Sequence, residues 1–231
     1  MDFNHIDLAI IDTYIKYNVH SFPINCFELL ELCGMKIKKY SEQKPKKKEQ
    51  CLLYSDDAFK LKNTIYYNDN KPLGRTRFSL AHELGHIILE HTNSNLEIQE
   101  KEADVFASHF LAPRIAIHYS RCKNQNDVVK LFHLSQEAAL YAFDDYRRWH
   151  RRTVIHKMNV LDKAMYSHFY KDEANCFVYK INTCAYCGSE IYNSDSHICP
   201  ECINPNDKSI CDNEPSIDFK IAESHWLYGG L

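Results

Sequence analysis

In the stretch FSLAHELGHIILEH, residues 78–91, His82 and His86 stand four apart with Glu83 between them. Residues four apart on an α-helix share one face about a turn apart, so both imidazoles can address a single ion. Zinc takes nitrogen ligands, and two of them on one turn meet its geometry without moving the backbone. Glu83 falls beside the metal axis, where it serves a water rather than the metal. This is the logic of the H-E-x-x-H arrangement, with Glu83 as the expected general base. Gly85 lies inside the same helix at a cost of about 1 kcal/mol against Ala. The expectation is that the missing side chain lets another backbone approach closely. The chain holds 13 histidines, and a chance H-E-x-x-H somewhere in it is on the order of one in twenty. The motif therefore needs a third ligand and an open position. On the next helical stretch the candidates are Glu97, Glu100, Glu102, Asp104 and His109. Glu100 and Asp104 are again four apart. That spacing permits Glu100 to bind zinc while Asp104 accepts a hydrogen bond from a ligand histidine and fixes its tautomer. His109, Tyr66 and Tyr67 are candidates for a second oxyanion donor.

A second chemistry is written in CAYCGSEIYNSDSHICPEC, which places Cys184, Cys187, Cys199 and Cys202 in two C-x2-C pairs. Each pair makes a thiolate knuckle, and four thiolates close a tetrahedron with no open corner, as in a structural zinc ribbon. Gly188 suits the turn after the first pair; Ile203 follows the second, where ribbons often carry Gly. Such a small unit has too little core to fold alone, so metal binding supplies its folding energy. Cys26, Cys33, Cys51, Cys122, Cys176 and Cys211 are scattered and read as ordinary thiols.

The elements that must position these groups follow from periodicity. Residues 6–17 and 24–33 read as helices, the second bounded by Pro23 and Gly34. MKIKKY alternates like a strand, SEQKPKKKEQ (41–50) reads as a charged loop, and NTIYYN (63–68) reads as a strand closed by a turn. We expect this last strand to be an exposed edge that receives an extended substrate. Helices are expected at about 76–91 and 95–113, the latter stopped by Pro113. Further helices fill 114–150, with Ser135 as an N-cap. The expected fold class is α+β, mainly helical with a small β-sheet, plus a small C-terminal zinc ribbon. The divisions are 1–150 for the main domain, 151–180 for a connector, 181–206 for the ribbon and 207–231 for a tail.

The pair RFSLAHELGHIILEH and EKEADVFASHFLAP resembles the ImmA/IrrE metallopeptidases, which join H-E-x-x-H to a downstream E-x-x-A-[DN]-x-F-A segment with a leucine–proline stop. The likeness holds at His82, Glu83, His86, Glu100, Ala103, Asp104, Phe106, Ala107 and Pro113. It extends over roughly residues 5–150. It implies a zincin-like metallopeptidase core for the main domain, with zinc on His82, His86 and Glu100 and with Glu83 catalytic. The cofactors expected for the whole chain are then one catalytic and one structural Zn2+. It also implies a protein substrate, a helix-turn-helix repressor of a mobile element or stress response.

The bulk numbers narrow the classes. With 45% hydrophobic and 26% charged residues the chain can bury a core, and its net charge of -3 gives no general pull toward nucleic acid or membrane. Asp2 and Asp7 without a basic start argue against a secretory signal, and no run approaches a membrane span. A cytoplasmic protein is expected. The rival reading is a DNA- or repressor-binding regulator whose metal site is structural or sensing. It draws on the basic run 36–48, on RRWHRR (147–152) and on a helix-turn-helix rhythm in 126–146. Direct nucleic-acid binding is the less favoured of the two, because SQEAALYAFDDY carries Glu137, Asp144 and Asp145 and no cation to meet phosphates.

Overall fold

The computed structural model describes residues 4–92 and 95–203; the expected tail 207–231, with Cys211, lies outside them. The first half runs α1 (Asn4–Lys16), α2 (Cys26–Leu32), β1 (Lys36–Lys39), α3 (Pro45–Tyr54), β2 (Ala58–Leu61), β3 (Thr64–Tyr67), α4 (Leu73–Ile88) and α5 (Leu96–Leu111). Then come α6 (Arg114–Tyr119), α7 (Gln125–Phe132), α8 (Gln136–His156) and α9 (Val160–Phe169). Four short strands follow, β4 (Tyr170–Lys171), β5 (Cys176–Phe177), β6 (Ile181–Thr183) and β7 (Glu190–Tyr192), and the turn α10 (Pro200–Ile203). This is a mainly helical α+β protein.

Local chemistry accounts for the element boundaries. The side chain of Asn25 caps α2, Asn124 caps α7, Ser135 caps α8, and Asn159 with Asp162 forms a capping box on α9. Gly34, at φ +78°, ends α2. One expectation fails here. Residues 45–50 are not loop but the start of α3, with Pro45 at its first position. Proline there is pre-set for a helix, and Cys51 anchors the helix against Tyr40 and Tyr66.

The three-stranded sheet has the order β1-β3-β2, with β1 parallel and β2 antiparallel to β3. The strand NTIYYN is therefore central, not an exposed edge. Its Ile65, Tyr66 and Tyr67 are all buried, and a strand apolar on both faces needs cover on both. The free edges are β1 and β2.

One apolar core joins Ile10 and Tyr14 of α1, Leu80 and Leu84 of α4, Phe106 and Phe110 of α5, and Phe132 and Trp149 of α7 and α8. Met158, Met165, Phe169 and Phe177 belong to the same cluster. The division drawn at residue 150 falls inside α8, and the segment 151–180 packs into this core. Cys184, Ile191 and Cys199 make a separate small cluster. Asn193 ties that unit to the rest: its side chain accepts from the Tyr179 and Lys180 N–H groups and donates to the Phe177 carbonyl. Among the described residues, no helix is long and apolar enough to cross a membrane.

Candidate active site

Helices α4 and α5 pack antiparallel, so His82 faces Asp104 while His86 faces Glu100, four residues earlier on α5. Gly85 makes their contact close. A Cβ there would lie 3.1 Å from the Phe106 ring, so the neighbour it accommodates is a side chain and not the backbone expected. Gly74, near the start of α4, meets backbone instead: a Cβ would lie 2.6 Å from Ser135 N.

At the α4–α5 seam, His82 Nε2 is 3.0 Å from His86 Nε2. Glu100 reaches both rings, with Oε2 3.2 Å from His82 Nε2 and Oε1 3.4 Å from His86 Nε2. The three ligand atoms lie within 4.8 Å of one another. His82 Nδ1 is 2.9 Å from Asp104 Oδ1. A carboxylate only accepts, so the His82 proton sits on Nδ1 and its Nε2 lone pair is turned on the Glu100 carboxylate. A positive charge between that lone pair and the anion, a proton or a metal ion, relieves their repulsion. The residues present therefore fit a divalent metal that takes nitrogen and oxygen donors.

Burial opposes charge on His82, but the Asp104 hydrogen bond and the carboxylates around it prevail, and its pKa is raised. Burial, then the neighbouring His82, push His86 down to about 4, which keeps its ring neutral. Burial also raises Glu83, against the pull of His82 and of the Lys60 N–H on edge strand β2, which donates to its carboxylate. Glu83 thus stands between the cluster of His82, His86 and Glu100 and a sheet edge. Asp104 borders a cleft of about 1050 Å³ that passes Phe78, Val105 and Tyr141 between α4, α5 and α8.

The remaining acidic candidates on α5 divide by partner. Glu97 pairs with Lys101 on the exposed face. Glu102 lies 3.2 Å from His91 and 3.1 Å from His5. His109 is enclosed by Asp7 and Asp145, at 2.8 and 3.3 Å. As for the tyrosines, Tyr66 takes a hydrogen bond from Lys47, and Tyr67 packs edge-on against Phe27. His91 was not among the residues singled out from sequence. It lies beyond the end of α4, and Glu90, at φ +53°, folds it back so that its N–H donates to the His86 carbonyl. Its Nδ1 is 2.9 Å from His86 Nδ1.

The four cysteines of the C-terminal unit also converge, with all sulfurs within 4.8 Å and Cys187 Sγ 3.6 Å from Cys199 Sγ. Zinc–thiolate bonds of ~2.3 Å at tetrahedral angles put sulfurs about 3.8 Å apart, so the thiols fit one ion. None of them is in a disulfide. The backbone N–H groups of Cys187 and Cys199 draw the Cys184 thiol down to about 6. Gly188, at φ +76°, turns the first knuckle. The second closes as the helical turn α10, where Ile203 N–H bonds to the Cys199 carbonyl, so no glycine is required at 203.

Comparison with known families then bears on the same helices. Residues 34–144 match the family model of the M78 peptidases, the IrrE N-terminal-like domain. His82, Glu83, His86, Glu100 and Asp104 all fall inside the matched segment, and the cysteine cluster falls beyond it. No curated protein matches the chain.

Proposed function

From the match of residues 34–144 to the IrrE N-terminal-like domain of the M78 peptidases, we propose a zinc-dependent endopeptidase. His82, His86 and Glu100 would hold the zinc, and Asp104 would orient His82. When bound, the ion supplies Lewis acidity toward a water and a peptide carbonyl. Glu83 accepts a proton from the attacking water at its carboxylate and passes it to the leaving amine. Burial raises its pKa toward the range a proton carrier needs. The cleft along α4, α5 and α8 reaches the site only at Asp104 and is lined by none of His82, Glu83, His86 or Glu100, whereas β2 is a sheet edge that contacts Glu83 through the Lys60 N–H. The cysteine cluster would hold a second, structural zinc. The proposed substrate is a helix-turn-helix repressor of a mobile element or stress response, met in the cytoplasm.

The observation that carries this reading is the meeting of two imidazoles and one carboxylate within 4.8 Å, beside a carboxylate that binds neither ring. The test is Glu83→Gln, assayed against the helix-turn-helix factor encoded beside this chain. The variant should keep its metal and lose cleavage by about 10²–10⁴-fold. Undiminished cleavage would refute the role of Glu83, and no cleavage by the wild type would remove the repressor as substrate.

A further inference from the structure

His86 raises a question that His82 does not. The proton of His82 is settled by Asp104. The Nδ1 of His86 faces another imidazole, His91 Nδ1 at 2.9 Å, and two such nitrogens share one proton in either of two arrangements. Only the arrangement with the proton on His86 Nδ1 leaves the His86 Nε2 lone pair free to face Glu100. Something must choose it.

We infer that Glu102, acting through His91, makes that choice, so that both are positioning residues for the metal ligand His86. The inference rests on the metal reading of His82, His86 and Glu100. The His91 side chain is 7% exposed. Its Nε2 is shut away from solvent and has no well-aligned hydrogen-bond partner; the group beside it is Glu102 Oε2, at 3.2 Å. A carboxylate only accepts, so its field favours the His91 tautomer with hydrogen on Nε2. That tautomer leaves His91 Nδ1 an acceptor. His86 must then donate from Nδ1, and its Nε2 keeps the lone pair. The other Glu102 oxygen lies 3.1 Å from His5 Nε2, which braces the carboxylate from α1. Each ligand histidine is thus set by an α5 carboxylate, His82 by Asp104 directly and His86 by Glu102 through one intervening ring. A partner that fixes a ligand imidazole is worth about 10–100-fold in metal affinity.

The test measures Co2+ affinity of the full chain by chelator competition, with the cobalt–sulfur absorption of the cysteine cluster as an internal check on folding. His91→Phe fills the space and offers His86 no acceptor; its nitrogen–carboxylate site should weaken by about 10–100-fold. His91→Gln restores an acceptor oxygen and should recover most of that loss. Glu102→Gln is close in volume, but its amide can donate as well as accept, so affinity should fall here too, and this variant decides the matter if His91→Phe does not fold. Wild-type affinity in His91→Phe, or equal losses in Phe and Gln, would overturn this inference alone. A wild-type chain that loads the cysteines and nothing at His82 and His86 would overturn the proposed function along with it.

Discussion

His82 meets Asp104 through the nitrogen that faces away from Glu100, and that division of one ring between two acids is what suits it to the ligand role proposed for it. Asp104→Asn can present its amide nitrogen to His82 and release the tautomer. The expected result is about a 10–100-fold loss of metal affinity, read by chelator competition, with little change in the melting of the metal-free chain. The shared faces of His82 with His86 and of Glu100 with Asp104 were legible in the sequence because four-residue spacing fixes a face on any regular helix; which acid of α5 meets the two imidazoles came from the family resemblance, not from spacing. His91 was not legible from either. It lies past the last turn of α4, where its direction depends on the left-handed Glu90, and helical periodicity carries no information about that angle. Glu102 was visible as an acid, but its partners His5 and His91 come from the far end of the chain and from that same turn.

Between elements, the glycines of α4 separate two kinds of contact. At Gly74 an added methyl would press on backbone, 2.6 Å from Ser135 N and 2.7 Å from Leu134 C, and backbone at a helix entry has little room to yield. Gly74→Ala should destabilise by about 1–3 kcal/mol, measured by denaturant unfolding. At Gly85 the obstacle is the Phe106 side chain at 3.1–3.2 Å, which needs to give only a few tenths of an ångström. Gly85→Ala also gains about 1 kcal/mol in helix propensity, so its net effect should be close to zero in the same experiment. The sheet shows where reading by element fell short. MKIKKY and NTIYYN each announced a strand, but the central place of NTIYYN also depends on β2, Ala58–Leu61, which no alternation in the sequence announced. The unbroken burial of Ile65, Tyr66 and Tyr67 is the trait that marks a central strand, and it is present in the sequence as a run of apolar residues without alternation.

Across the whole molecule, four helices meet in a charged cluster: Asp7 of α1, His109 of α5, Arg114 of α6 and Asp145 of α8. Burial disfavours the Asp145 charge, but the His109 and Arg114 cations outweigh it and hold the pKa down to about 2. Burial likewise opposes charge on His109, and its two carboxylates raise it nevertheless. A depressed carboxylate contributes stability above its unfolded value of 3.8, lost as pH falls toward about 2. A raised histidine contributes below its unfolded value of 6.5, and the gain fades as pH rises through the folded value. The cluster should therefore support the fold most between about pH 4 and 6.5. Asp145→Asn should flatten the acid side of a plot of melting temperature against pH, and His109→Gln the alkaline side. The same cluster bears on how the molecule can be divided. Asp7 belongs to α1, and so does Tyr14, whose hydroxyl donates to the Phe110 carbonyl and whose ring stacks on Phe110 at 5.2 Å. Helix α1 precedes residue 34, where the match to the family model begins. A fragment trimmed to residues 34–144 would keep every proposed zinc ligand of the α4–α5 seam yet lay Phe110 bare and strand His109 without Asp7, so kinship marks out the chemistry here and not the unit that folds.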